Sequence, residues 1–343
     1  MVLGGFELFA IIGFLLAAYA IVANDAIQTL GTFLSSNQQR PWWVLWLYAC
    51  ALIAAVMSYG YFGLQGDIAF GRLNNIPYPP DGVRWWHVLP PAVLLVLTRL
   101  GIPVSTTFLV LTIFTLTGGA ATEGILSRML AKSGLGYVVA LTAGGLVYMI
   151  VSRGWVMWVH RTQDEKPSPV WIVLQWLSTA FLWSQWLMQD LANIFVFLPR
   201  TTLHEGDHTA VTFDLRILVL ATCVMMGLHA WIFARRGGRI QQIVLRKTHT
   251  TDIRAATLVD FVYGLILLLF IEASDIPMST TWVFLGLLAG REIAISYMTG
   301  LRSPKEALLD VSADVGRAWI GVAVSTALAL SVPWAATGKL PHF

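Results

Sequence analysis

Charge is scarce in this sequence. Asp, Glu, Lys and Arg make up 12% of its 343 residues, against 57% hydrophobic residues and a mean hydropathy of +0.69. A soluble domain carries about twice that charged fraction, and a chain this apolar lacks the polar surface to cover itself in water. Cysteine is scarcer still. Cys50 and Cys223 each lie in an apolar run, which excludes a disulfide framework or a thiolate metal centre and reads as two small buried hydrophobes. The formal net charge of +3 is ordinary for a membrane protein and implies no nucleic-acid partner. Phosphate-loop and dinucleotide fingerprints are missing as well, since Gly144-Gly145 and Gly237-Gly238 stand as isolated pairs. At the N-terminus there is no basic n-region, and the apolar run Leu8–Val22 leads into Asn24-Asp25 instead of a small-residue cleavage site, so it reads as a first span or half of one.

What is present is hydrophobicity in blocks of membrane-spanning length. Val44–Tyr59, Tyr137–Val151, Leu215–Phe233 and Val315–Ala335 are the plainest, and roughly 20 residues cross the hydrocarbon core. The sequence therefore predicts an all-α, multi-pass protein of the cell (plasma or inner) membrane, with the lipid bilayer as its partner and about ten to twelve embedded segments. Between blocks, Arg235, Arg236, Arg239, Arg246, Lys247 and Arg254 face only Asp252, which predicts a cytoplasmic loop. Pro199–Asp214, with Glu205, Asp207 and Asp214 against Arg200, is expected on the opposite side.

Two polar motifs occur twice, in the same order. Asn24-Asp25 with Gln28 is echoed by Gln189-Asp190 with Asn193, and Ile102-Pro103-Val104-Ser105-Thr106-Thr107 by Ile276-Pro277-Met278-Ser279-Thr280-Thr281. The aspartates are 165 residues apart and the serines 174. Two motif pairs nearly in register predict two homologous membrane repeats, 1–165 and 166–343, joined by the hydrophilic stretch His160–Pro169. Each proline interrupts a run that is too short to span. Leu89–Leu100 and Ser105–Gly118 flank Pro103, and Leu258–Glu272 and Ser279–Gly290 flank Pro277. Proline removes a donor and disfavours helix before it, and Ser-Thr-Thr after it is a helix N-cap. The expectation is an inverted pair of re-entrant, broken-helix hairpins whose tips are positive helix ends suited to an anion, lining a cavity near the bilayer midplane.

An aspartate inside a span costs roughly 3 kcal/mol on insertion scales and signals function. Asp25 and Asp190 would repel an oxyanion unless a cation intervened. A sodium ion or proton is therefore expected at Asn24, Asp25, Gln189 and Asp190. The oxyanion is expected at the hydroxyls and N–H groups of Ser105, Thr106, Thr107, Ser279, Thr280 and Thr281, aided by the amides of Gln28 and Asn193. No lysine or arginine falls in these motifs, so the co-ion must do the neutralising.

These residues resemble the paired signatures of the inorganic phosphate transporter family. The amide-aspartate motifs are similar to its Gly-Ala-Asn-Asp-Val-Ala-Asn-Ala, the Ile-Pro-x-Ser-Thr-Thr motifs to its Leu-Pro-Val-Ser-Thr-Thr-His, and Gly31-Thr32 to the Gly-Thr that follows the first signature. The resemblance runs along nearly the whole chain. It implies a sodium- or proton-coupled symporter of inorganic phosphate, no enzyme and no cofactor, with an inverted repeat and a homodimeric assembly. The departures are Gln28 and Gln189 for Asn, Leu187 and Met188 for the glycines of the second signature, Val196-Phe197 for its Gly-Pro, and Phe108 and Trp282 for the histidines. They predict a less broken second helix. They also leave open another oxyanion such as sulfate, or a transport-inactive scaffold or complex subunit.

Other signals point elsewhere. His204-Glu205-Gly206-Asp207-His208 matches a zinc-protease pattern, but that chemistry needs both histidines on one helical face, and Gly206 and Asp207 in this context predict a loop. Most of the 15 tryptophans fall near span ends, as an interfacial belt would, whereas Trp183, Trp186 and Trp282 lie beside the proposed site. Glu272 and Asp275 are candidate extra cation ligands, and Arg291-Glu292 a pair at a span end.

Overall fold

In lipid the backbone must satisfy its own polar groups, so apolar runs become helices. The computed structural model describes residues 2–3, 6–99, 104–117, 124–205, 208–237, 241, 252–273, 275–300 and 303–338. Pro103 and its two predecessors, Gly118, the basic residues Arg239, Arg246 and Lys247, and Gly206-Asp207 lie outside them. Among the described residues, six helical stretches are long and apolar enough to cross a membrane: Leu8–Ala26, Trp42–Gly63, Ile125–Arg161, Leu215–Ala234, Ile253–Ala273 and Pro304–Val332.

The chain order is as follows. Helix α1 (Leu8–Ile21) passes through one π-helical turn, Val22–Ala26, into α2 (Ile27–Ser36). Helix α3 (Trp42–Ser58) ends in a second π turn, Tyr59–Gly63, and an irregular segment 64–84 follows. Next come α4 (Trp85–Arg99), α5 (Thr106–Thr117), α6 (Ile125–Val151) with a third π turn, α7 (Met157–Arg161), α8 (Pro169–Asp190) and α9 (Ala192–Phe195). After an antiparallel hairpin of Thr201–Glu205 with His208–Thr212 come α10 (Leu215–Ala234), α11 (Ile253–Ala273), α12 (Thr280–Thr299) and α13 (Pro304–Thr337).

Composition sorts these helices by depth. Helix α8 is long enough to span but carries Gln175, Ser178, Thr179, Gln185, Gln189 and Asp190 on its buried surface, so it belongs in the interior. Helix α12 is also interior, buried along nearly all of its first three turns. It crosses α6 at backbone contact. A Cβ on Gly290 would stand 2.0 Å from the Leu141 carbonyl, and one on Gly286 2.4 Å from that of Tyr137. Helices α6 and α13 present large apolar residues such as Ile150, Leu309 and Trp319 outward, as lipid-facing helices do.

Two ends of the bundle can be told apart. At one, Arg236 Nη2 donates to Arg40 O, Gln241 Nε2 to Gly31 O, and Arg254 Nη1 to Thr162 Oγ1 just past α7. At the other, segment 64–84 meets the N-terminus of α1 through Val83 N donating to Glu7 Oε2, meets the β-hairpin through Phe213 N donating to Gly66 O, and meets the end of α11 through Arg72. Arg200 Nη2 donates to Ile76 O at 2.7 Å and pins the same segment; burial lowers this guanidinium to about 10, which leaves it charged at neutral pH.

Three expectations are corrected here. The arms about Pro277 exceed half a membrane, since α11 has 21 residues and α12 has 20. Helix α12 runs on to Thr299 because Arg291 and Glu292 neutralise each other at 2.6 Å within it instead of ending it. The H-E-x-x-H stretch is a β-hairpin, with Glu205 opposite His208, so its two histidines do not share a helical face.

Candidate functional site

Buried carboxylates need donors, and here four chain segments converge to supply them. Asp25 lies in the π turn between α1 and α2, where one extra residue per turn disrupts the regular ladder, and Asp190 is the last residue of α8. Both are buried, with Asn24, Gln28, Gln189 and Asn193 buried around them. The N-termini of α5 and α12 point into the same space. Ser105 and Ser279 cap them, each accepting from the backbone N–H three residues on, Phe108 at 3.3 Å and Trp282 at 3.2 Å. The serine hydroxyls are thus occupied with their own helices, and the threonines that follow reach the aspartates.

The pattern is crossed. Asp25 accepts from the Thr106 hydroxyl and, across the halves, from Thr281 Oγ1 at 3.2 Å. Asp190 accepts from the Thr280 hydroxyl and, across the halves, from Thr107 Oγ1 at 3.5 Å, whose single proton is shared with Met278 O at 3.1 Å. One amide completes each shell: Asn24 Nδ2 donates to Asp25 Oδ1 at 2.8 Å, and Asn193 Nδ2 to Asp190 Oδ1 at 2.8 Å. Asn24 also donates to Val104 O at 3.1 Å, and Asn193 to Thr107 Oγ1 at 3.1 Å, so both amides tie their segments to the start of α5. The two glutamines do less. Gln28 Nε2 reaches only Asn24 Oδ1 at 3.4 Å, and among the described residues neither amide atom of Gln189 has a hydrogen-bond partner. Asn193 Oδ1 and Trp282 Nε1 are likewise buried without one.

All twelve residues singled out from the motifs are therefore buried, and the two aspartates, two asparagines and four threonines form one hydrogen-bonded cluster. Aromatic residues wall it. Phe108 and Trp282, at matching positions in the two motifs, meet edge to face at 5.6 Å, and Trp183 stacks on Trp186 at 4.7 Å.

Sequence reasoning passed over three neighbours. Asp260, buried in α11, accepts from Thr32 Oγ1 at 2.5 Å and Thr179 Oγ1 at 2.7 Å; the rule that flagged Asp25 flags it equally. Tyr263, one turn further on, donates to Thr280 O at 3.0 Å. Ser133 accepts from Ser279 N at 2.9 Å and has no sequence signature at all.

A buried carboxylate beside threonine hydroxyls and asparagine amides, whose oxygens can turn to it, is a donor set for a hard monovalent cation or a proton. Two helix N-termini opposite supply N–H groups and positive dipole ends for an anion. No family model matches the chain, and no curated protein matches it in sequence. A solved structure, that of a sodium-dependent phosphate transporter, matches over 97% of this chain and 98% of its own, with a TM-score of 0.56 and 15% identity. The chain has that transporter's fold. The likeness is end to end, so it takes in both motif pairs and the segments between them.

Proposed function

We propose that this protein is a cation-coupled symporter of inorganic phosphate and a divergent member of the inorganic phosphate transporter family, with sodium as the co-transported ion. The observation that carries the reading is the crossed shell, in which each buried aspartate accepts a threonine hydroxyl from its own half and one from the other. The sodium dependence of the structural neighbour supports the choice of ion.

Coupling follows from the hydroxyls. With the aspartates bare, the threonine protons are drawn to the carboxylates. A sodium ion at Asp25 or Asp190 takes the carboxylate and hydroxyl oxygens as ligands, and the hydroxyl protons must then turn away, toward the space in front of α5 and α12. There they become donors to phosphate, alongside the N–H groups of the two helix N-termini. The cation thus both cancels the negative charge and releases the donors, which makes the anion's binding conditional on it. Gln189, with its unpaired amide, and Gln28 and Asn193 supply further donors or acceptors to either ion.

We read the architecture as two inverted repeats, 1–165 and 166–343. In support, α4 descends from segment 64–84 at one end of the bundle, whereas α11 rises from the basic segment at the other, so the two hairpins enter from opposite faces. The basic end is the cytoplasmic one, in a multi-pass protein of the cell membrane.

The test is uptake of radiolabelled phosphate into proteoliposomes under an inward sodium gradient and then an inward proton gradient, with sulfate as competitor. Sodium-driven uptake that Asp25→Asn and Asp190→Asn each abolish supports the reading. Absence of uptake under both gradients would refute it.

A further inference from the structure

Two cations hold backbone carbonyls on either side of the link between α11 and α12. Arg72, within that segment, is buried at 1% exposure, and its Nη2 donates to Ile271 O at 3.3 Å. Lys132, in the second turn of α6, donates through Nζ to Ile276 O at 2.7 Å. The two are close enough for each charge to bear on the other, and both feel Asp275; Asp190 acts on Arg72 as well. Asp275 and Glu272 are exposed. Asp275 Oδ1 lies 3.3 Å from where a Cβ on Gly71 would stand, so this carboxylate lies against the loop beside Arg72, and the turn there suits glycine through its φ of +75°. Asp67, by contrast, is engaged by the loop itself, accepting from Ala69 N at 2.9 Å and Gly71 N at 2.5 Å.

Of the acids that act on Arg72, Asp275 and Glu272 are exposed and Asp190 is buried. The carbonyls that the cations hold, Ile271 and Ile276, bracket the link between α11 and α12. That link continues through Ser279, whose N–H donates to Ser133, the residue after Lys132, and reaches Thr280 on Asp190.

We propose that Arg72 and Lys132 form a second oxyanion site in front of the carboxylate cluster, with the Asp275 carboxylate standing where the anion binds. A guanidinium offers paired donors that match a tetrahedral oxyanion, and the ammonium adds a point charge. An arriving phosphate exchanges with Asp275, draws the two cations from the Ile271 and Ile276 carbonyls, and so loosens the link that carries Thr280. The inference deepens the transport reading and rests on it for the anion's onward path, whereas binding at the pair is measurable without transport.

The experiment is equilibrium binding of radiolabelled phosphate to the purified full-length protein, together with uptake into proteoliposomes. Wild type is compared with Asp275→Asn, Lys132→Gln, Arg72→Gln and Arg72→Lys across a range of salt. Lys132→Gln and Arg72→Gln are each expected to weaken binding by about tenfold and to flatten its salt dependence. Arg72→Lys should fall between Arg72→Gln and wild type, and Asp275→Asn, which removes the competitor, should tighten binding about threefold. Wild-type affinity and salt dependence in both Lys132→Gln and Asp275→Asn would overturn the proposal, and these two partly or fully exposed positions decide it if Arg72→Gln does not fold. Uptake that is intact, with an unchanged KM in every variant, would sink the second site and leave the transport reading standing. Charge-dependent binding without gradient-driven uptake would do the reverse.

Discussion

The two aspartates have the same neighbours but not the same backbone. Asp25 lies in a π turn inside a helix that continues for ten more residues to Ser36, while Asp190 ends its helix and is followed, after Leu191, by only the four residues of α9. The amide that serves each carboxylate is also exchanged. In the first half it is the residue before the aspartate, Asn24, and in the second the residue three after, Asn193; the position left over is glutamine in both, Gln28 and Gln189. The shells nevertheless have the same composition: one asparagine amide, one threonine from the same half and one from the other. What is kept is the donor set around the charge, because an ionised carboxylate in an apolar interior tolerates no missing partner, whereas the way the helix breaks is free to differ.

The comparison can be broken in graded steps. Asp25→Asn and Asp190→Asn remove the charge itself, and each should abolish sodium-driven phosphate uptake, a loss of at least about a hundredfold. If only one does, the halves are not functionally equivalent. Asn24→Ala and Asn193→Ala remove the one amide of each shell and should each cost about tenfold or more in uptake, as loss of a charge-assisted bond of ~1.5–3 kcal/mol implies. Among the threonines, Thr106→Val and Thr280→Val take away the tighter bonds within each half and should exceed Thr107→Val and Thr281→Val, whose bonds across the halves span 3.5 and 3.2 Å; a KM series for phosphate and sodium ranks them. Gln189→Met should separate stability from function. It removes a buried amide with no partner, so thermal unfolding should rise by the equivalent of about 1 kcal/mol while apparent ion affinity falls. Gln28→Met, whose amide is at least weakly bonded, should gain less. Smallest of all, Glu205→Gln in the β-hairpin should leave uptake unchanged.

Much of this was legible in the sequence. Intramembrane aspartates beside amides, and Ser-Thr-Thr after a proline, are local signals, and all twelve of those residues are buried, the aspartates, asparagines and threonines in one cluster. The helical breaks were legible in position, although the loss of glycines at Leu187 and Met188 led to the expectation of a less interrupted second helix. Helix α8 does run unbroken through them to Asp190, and Leu191 keeps right-handed helical dihedrals before α9 follows at once. The arms about Pro277 were read too short because Arg291-Glu292 looks like a terminus until the two charges are seen to cancel. Arg72, Lys132 and Ser133 gave no signal. Their roles depend on a loop and a helix start meeting the α11–α12 link more than 140 residues away in the chain, a matter of topology and not of local pattern. The division of labour within Ser-Thr-Thr, serine for the cap and threonines for the carboxylates, also required geometry.

The crossed threonines bear on how such a chain can change over generations. Neither half carries a complete shell for its own aspartate, so a substitution in one motif is felt at the other's charge, and drift in either half is checked by both. Outside those bonds the two sites can differ, and an asparagine that stands before one aspartate and three residues after the other is a difference that this constraint permits.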